Sequence, residues 1–298
     1  MPATGKIATG ILVAVIALPA FGRAASTHLP AESPRALVRD VIYNELHDRE
    51  RDSHWEYLSH RITTDQNIVR EQIETTKGPV FRILERNGAP LSAAQQQQED
   101  QRLAAYIHDP GAVSRILQDH LADESRLANI MRLLPQAFTY RYDGPPSGDI
   151  VRLSFKPDPS YTPSTYEARI VHALSGALTV NLRYKRMVDM RGTLIQRVDF
   201  GFGILGHVDQ GGTFEIRRLQ VSPRHWKTDL VDVHVQGRIL MLKTVSKDER
   251  EVRSDFRPVP LNLSLAQAKN MLLDVNSQDV QAQLASDSGT PAPLHTAR

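Results

Sequence analysis

Cysteine is absent from all 298 residues. That removes disulfides, thiolate metal sites, a cysteine nucleophile and a lipid-modified N-terminal cysteine. An oxidising compartment stays open, because a chain of this length can bury a sufficient core without staples. A dominant sign of charge is missing too. The 36 Lys and Arg against 34 Asp and Glu leave +2, with no block of like charge, which argues against a nucleic-acid partner. Three familiar motifs are lacking: His-Glu-x-x-His, Gly-x-Ser-x-Gly and the phosphate loop. No cofactor and no metal are therefore expected.

Long apolar runs are scarce, and the one at the N-terminus is short. Lys6 precedes Ile7 to Leu18, followed by Pro19 and the small residues around Gly22 and Ala25. Charge, apolar core and small residues are the three parts of a secretory signal peptide. The run falls short of the roughly 20 residues that span a bilayer, although an uncleaved anchor is the alternative. The expected organisation is a signal peptide at 1–25, one α+β domain at 26–275 and a disordered tail at 276–298, rich in Ser, Gln, Asp, Ala and Pro. The expected location is periplasmic or secreted.

What is present is a regular alternation of patterns. Ser33-Pro34 reads as an N-cap and first helical position, and Leu37, Val38, Val41, Ile42 and Leu46 recur at helical spacing. Strands follow from Trp55, from Ile68 to Thr75 and from Val80 to Arg86, closed by the Asn87-Gly88 turn. Ser92 with Gln95 makes a capping box for a helix that the Asp109-Pro-Gly stretch breaks. The next helix, Ala112 to about Leu134, carries one apolar stripe through Val113, Leu117, Leu121, Leu127, Ile130, Met131 and Leu134. That stripe is expected to pack against a sheet. From Phe138 onwards strands dominate, joined by turns too short for parallel crossovers. Apolar phase flips between Ile216 and Leu219, which predicts a bulge. A short helix from Ser264 to Asp274 closes the domain.

The most unusual stretch is Val198 to Ile216, with glycines at Gly201, Gly203, Gly206, Gly211 and Gly212 beside Phe200, Phe202, Ile204 and Leu205. Glycine suits positive φ and close approach, so a tight apolar loop between strands is expected, with the five glycines as its hinge. Asp199, His207 and Asp209 lie in or beside it. They could bind a metal or transfer protons, or simply fasten the loop backbone. Arg217, Arg218, Arg224, Arg238, Arg253 and Arg257 stud the last strands. They could recognise phosphate or carboxylate, or keep the sheet soluble.

Leu133-Leu-Pro-Gln-Ala-Phe138, Leu205-Gly-His207, Gly211-Gly-Thr-Phe-Glu215 and Val252-Arg-Ser-Asp-Phe-Arg257 resemble an uncharacterised family of secreted bacterial proteins. The overall layout is similar to the periplasmic lipoprotein-carrier (LolA/LolB-like) superfamily. That resemblance implies an incomplete β-barrel, a large curved antiparallel sheet with helices packed on its concave face over an apolar cavity. It also implies a non-enzymatic protein that binds a lipid, an acyl chain or another amphiphile and touches membranes transiently. On this reading the ligand-binding candidates are Phe202, Leu205, Phe214, Ile216, Trp226, Leu240 and Leu242. The alternatives are an envelope interaction protein with a self-filled core, and a hydrolase or metal enzyme using the His207 loop. Oligomeric state is not legible.

Overall fold

The computed structural model describes residues 28–47, 53–200, 206–239, 242–244 and 247–274. Helix α1 (Pro34–Leu46) begins as its sequence dictates, with the Ser33 hydroxyl accepting from the Ala36 N–H and Pro34 at the first position. Strands β1 (His54–Thr63), β2 (Asn67–Ile73), β3 (Val80–Arg86) and the two-residue β4 (Ala89–Pro90) follow. Both residues of the Asn87-Gly88 turn adopt positive φ, the geometry of a tight hairpin. Helix α2 (Ala93–Ile107) starts on a complete capping box between Ser92 and Gln95. Asp109 caps the 28-residue α3 (Pro110–Ala137) by accepting from the Gly111 and Ala112 N–H groups. The chain then passes directly into β5 (Phe138–Tyr142), β6 (Ile150–Pro157), α4 (Tyr166–His172), β7 (Leu174–Asn181) and β8 (Arg186–Leu194). It continues through β9 (Val198–Phe200), β10 (Gly206–Val208), β11 (Thr213–Gln220), β12 (Trp226–Val235), β13 (Gly237–Ile239), β14 (Leu242–Thr244) and β15 (Lys247–Val259) to α5 (Leu265–Asp274).

Eleven strands form one open, antiparallel sheet in the order β4-β3-β2-β1-β15-β12-β11-β8-β7-β6-β5. The fold class is the expected α+β with a curved sheet. Its curl has local causes. Register shifts interrupt the ladders at Glu56/Leu58, Val69/Arg70, Thr179/Val180 and Arg217/Arg218, and each bulge bends its strand and increases its twist. The last of these is the bulge foreseen between Ile216 and Leu219. Strands β14, β13, β10 and β9 make a separate small sheet.

Cross-strand partners define two faces. The inner face carries Phe138, Tyr140, Val151, Leu153, Phe155, Leu178, Val180 and Met190, buried with Leu37, Val38, Val41 and Ile42 of α1 and Leu134 of α3. The outer face carries Ile73 and Val80, covered by Leu103 of α2 and by Leu263, Ala268 and Leu272 around α5. Helix α2 also shields the β3 edge. The Glu99 carboxylate accepts from the Ile83 N–H at 2.9 Å, and Arg102 donates to the Phe81 carbonyl at 2.8 Å. An edge whose backbone groups are taken by side chains no longer templates pairing with another chain.

Four expectations shift. Helix α4 was not foreseen. The pattern from Met190 to Val198 predicts one continuous strand, but β8 ends at Leu194 and Val198 starts β9 of the small sheet. The run Ile239-Leu-Met-Leu242, apolar at every position, predicts one strand buried on both sides, but Ile239 and Leu242 belong to β13 and β14 of that sheet. The stripe on α3 is the fourth, and it bears on the site. The signal peptide expected at 1–25 and the tail expected from 276 lie outside the described residues.

Candidate functional site

The inner face changes character from one side of the sheet to the other. One row of paired residues runs Leu153, Leu178, Met190, Ile216 and Val231 from β6 to β12, then Glu251 on β15 and Arg61 on β1. The next row runs Phe155, Gly176, Gly192, Phe214 and Val233, then Glu249. Both rows are apolar or glycine as far as β12 and charged beyond it. Gly192 is required: a Cβ there would come within 2.8 Å of the Phe214 ring and 3.2 Å of Phe155. Cover thins along the same direction. Leu153, Leu178 and Met190 are buried, whereas Phe214, Ile216, Val231 and Val233 are only half-buried.

Helix α3 runs from the β2–β3 turn to the inner core. At 1.5 Å per residue it is about 42 Å long, and its two ends are fastened to different parts of the sheet. Near its start, the Leu117 Cα lies 3.5 Å from where a Cβ would stand on Gly78, in the β2–β3 turn. Near its end, Ile130, Met131, Leu133 and Leu134 join the inner core, and the Tyr140 hydroxyl donates to the Leu134 carbonyl at 2.8 Å. Between these anchors every residue from Gln118 to Leu127 is exposed. Ten consecutive residues are nearly three turns, so no side of the helix is covered there. Leu121 and Leu127 are 51% and 53% exposed. The expected packing of the whole stripe is therefore corrected at these two residues. A straight rod fastened at its two ends leaves its middle uncovered.

The charged half is densely bonded. One Glu251 oxygen accepts from the Ser59 hydroxyl at 2.7 Å and from Arg253 Nε at 3.1 Å, and the other accepts from Arg253 Nη2 at 3.0 Å. Arg70 Nη2 stands 3.7 Å away. Burial works against the Glu251 carboxylate, but Arg253, Ser59 and Arg70 outweigh it and hold its pKa down at about 2. Burial pushes Tyr57 up to about 12, and its oxygen accepts from the Gln72 carboxamide at 2.5 Å. Arg61 donates to Glu249 at 2.9 Å, and Lys247 lies 3.4 Å from the same carboxylate. The Arg70 guanidinium sits 5.0 Å over the Phe81 ring, with Arg102 at 4.7 Å. The Arg70 Nε is buried and, among the described residues, has no hydrogen-bond partner. Burial lowers the Arg70 pKa.

The candidates named from sequence fall into three groups. Phe214 and Ile216 are brought together on the inner face, beside α1 and β8. Trp226 is buried against the Tyr184 ring. Phe202, Leu205, Gly201, Gly203 and Leu240 lie outside the described residues, as does the side chain of Leu242. Gly206 and Gly211 adopt positive φ. Gly211 donates to the Leu194 carbonyl and Gly212 accepts from the Leu194 N–H, both at 2.8 Å, so this pair is laced to β8. His207 faces Asp199 across β9–β10 and lies 3.3 Å from Asp209, while Asp199 accepts from Arg197 at 2.8 Å. Among the described residues no cluster of His, Asp and Glu could hold a metal. Several of the arginines are engaged in ion pairs: Arg217 with Asp229, Arg218 with Glu45 and Arg253 with Glu251.

The outer face holds a polar groove of about 420 Å³ lined by Arg152, Arg191, Glu215, Asp232 and His234. A second hollow of about 340 Å³ shares His234. His234 is clamped between Asp232 at 2.8 Å and Asp248 at 2.7 Å, and Arg152 pairs with Asp143 at 3.2 Å.

Sequence reasoning missed Arg61, Arg70 and Glu251. Each looks like ordinary surface charge until β1 is placed beside β15, and Ser59 and Glu251 are 192 residues apart. No signal within either strand announces that pairing. No family model, no curated protein and no solved structure matches this chain.

Proposed function

We propose that the protein is a periplasmic or secreted, non-enzymatic binding protein for an amphiphile, such as a free lipid or the acyl chain of a lipoprotein. The ligand's chain would lie between the middle of α3 and the inner face of β11 and β12. One observation carries this reading. A helix anchored at both ends leaves Leu121 and Leu127 uncovered in its middle, while the apolar row of the sheet ends in half-buried Phe214, Ile216, Val231 and Val233. Exposed apolar surface costs free energy, and burying an acyl chain against it recovers about 0.8 kcal/mol per methylene. Delivery of such a ligand implies transient membrane contact. The leader at 1–25 agrees with this location.

The test has two parts. Lipid extraction and mass spectrometry of protein purified from its native cells should yield a bound amphiphile. The neutral apolar probe N-phenyl-1-naphthylamine should brighten on binding, and Leu121→Glu with Leu127→Glu should weaken its affinity at least tenfold while the urea midpoint stays within error. No extracted lipid and no probe binding would refute the proposal. Location is checked by N-terminal sequencing of the periplasmic fraction, which should begin between Ala20 and Ser26. An intact Met1 in membranes would refute export with cleavage.

A further inference from the structure

We infer that the amphiphile carries an anionic head group, a carboxylate or phosphate, which the inner face receives at Arg70. This rests on the amphiphile reading above and names the chemistry of the ligand's polar end. The first ground is the order of residues along the rows. From Met190 on β8 to Glu251 on β15 is three strand spacings, roughly 14 Å. Over that distance the face passes from apolar to charged without a break. A ligand lying across the strands with its tail on the half-buried Phe214, Ile216, Val231 and Val233 therefore places its head over β15, β1 and β2.

The second ground is charge balance there. The inner-face positions of those three strands hold Lys247, Arg61, Arg253 and Arg70, against Glu249 and Glu251. Lys227 and Glu74, at the margin, pair with each other at 3.1 Å. Four cations face two anions, so the surface retains an excess of two positive charges. A neutral or cationic head gains nothing from that excess, and an anion does.

The third ground singles out Arg70. Arg61 has Glu249 at 2.9 Å, and Arg253 holds Glu251 through two nitrogens. Arg70 reaches Glu251 only at 3.7 Å, beyond a hydrogen bond, and its buried Nε has no acceptor among the described residues. A buried guanidinium donor left unsatisfied is costly. The planar fork of arginine suits a carboxylate or phosphate that accepts two parallel N–H bonds. The Phe81 ring packs against the guanidinium, 5.0 Å from its central carbon, and occupies that side of it.

Binding of four C12 amphiphiles below their micellar concentrations tests the inference: dodecanoate, dodecyl phosphate, dodecyl maltoside and dodecyltrimethylammonium. The readout is displacement of N-phenyl-1-naphthylamine. At least one anionic ligand should bind tenfold or more tightly than the neutral and cationic ones, and comparing the two anions identifies the preferred head. Arg70→Met should erase that preference, with the anionic ligands falling to the affinity of the maltoside measured on the same variant. Should that variant fail to fold, raising the salt concentration on the wild type should narrow the gap between anion and cation, and Arg70→Lys should retain part of it. Equal affinities for all four heads in the wild type would overturn the anionic head while leaving amphiphile binding standing. A preference that survives in folded Arg70→Met would overturn the assignment to Arg70. Failure of every ligand to displace the probe, or of the probe to bind, would defeat both readings.

Discussion

Replacing Glu45 by alanine should be the most damaging single change to the described structure. Glu45 stands in the last turn of α1, and its side chain is completely buried, as are all but 8% of the Arg186 and Arg218 side chains that meet it. One carboxylate oxygen accepts from the Met187 N–H at 2.8 Å. The other accepts from Arg186 at 3.0 Å and from Arg218. Arg218 also donates to the Trp226 carbonyl at 2.6 Å. One carboxylate thus ties α1 to β8 and, through Arg218, to β11 and β12. Its removal leaves two guanidinium groups in a low-dielectric site without their counter-charge, a loss of about 3–5 kcal/mol. For a domain of this size that corresponds to roughly 6–20 °C in Tm. Urea unfolding followed by far-UV circular dichroism measures it, and an unchanged slope would show that the unfolded state is unaffected. Glu45→Gln should lose less, because the amide oxygen can still serve Met187. The double variant Glu45→Ala with Arg218→Met should recover part of the loss, since replacing both partners removes a stranded charge. A loss below about 1 kcal/mol for Glu45→Ala would refute this account of the triad.

Two further outcomes follow from burial. Leu134→Ala should cost about 2–5 kcal/mol because that residue is buried in the inner core, whereas Leu121→Ala should change stability by less than about 0.5 kcal/mol; equal losses at both would show that the middle of α3 is packed after all. Burial, and then the neighbouring Glu56 carboxylate, push the Glu71 pKa up to about 7, so the folded state holds a proton that the unfolded chain releases near 4.5. The stabilisation is complete below the unfolded value and is lost as pH rises through about 7, so Glu71→Gln should flatten the fall in stability between pH 5 and pH 8, and an unchanged slope would refute the shift.

Much of the frame was legible because its signals are local. Ser33-Pro34, the Ser92–Gln95 box and the Asn87-Gly88 turn each act within four residues, and each appears in the structure as read. The bulge near Arg217 was visible because a phase flip in an alternating strand has few other causes. Helix α4 is seven residues long, too short to establish a helical period. The α3 stripe misled at Leu121 and Leu127 because periodicity reports that a face is apolar, not that something lies against it. Of the site, Phe214 and Ile216 were candidates on the carrier resemblance, on a strand whose pattern was legible. Arg70 was not, because its meaning depends on Glu251, Phe81 and the absence of a third partner.

The position of β1 has a consequence for how the chain is made. β1 pairs with β2 on one side and with β15 on the other, matching His54 with Val259. The hairpins of β1 to β4 and the run from β5 to β12 can each assemble from neighbours in sequence, and within the sheet it is β15 that joins them. During synthesis the first strand must therefore wait for the last, and contacts of such long sequence separation slow folding. A chain cut short before Lys247 would present β1 and β12 as two naked edges at once, a template for aggregation. The final strand is the clasp of the sheet, and the interval before its arrival is when a chaperone would be needed.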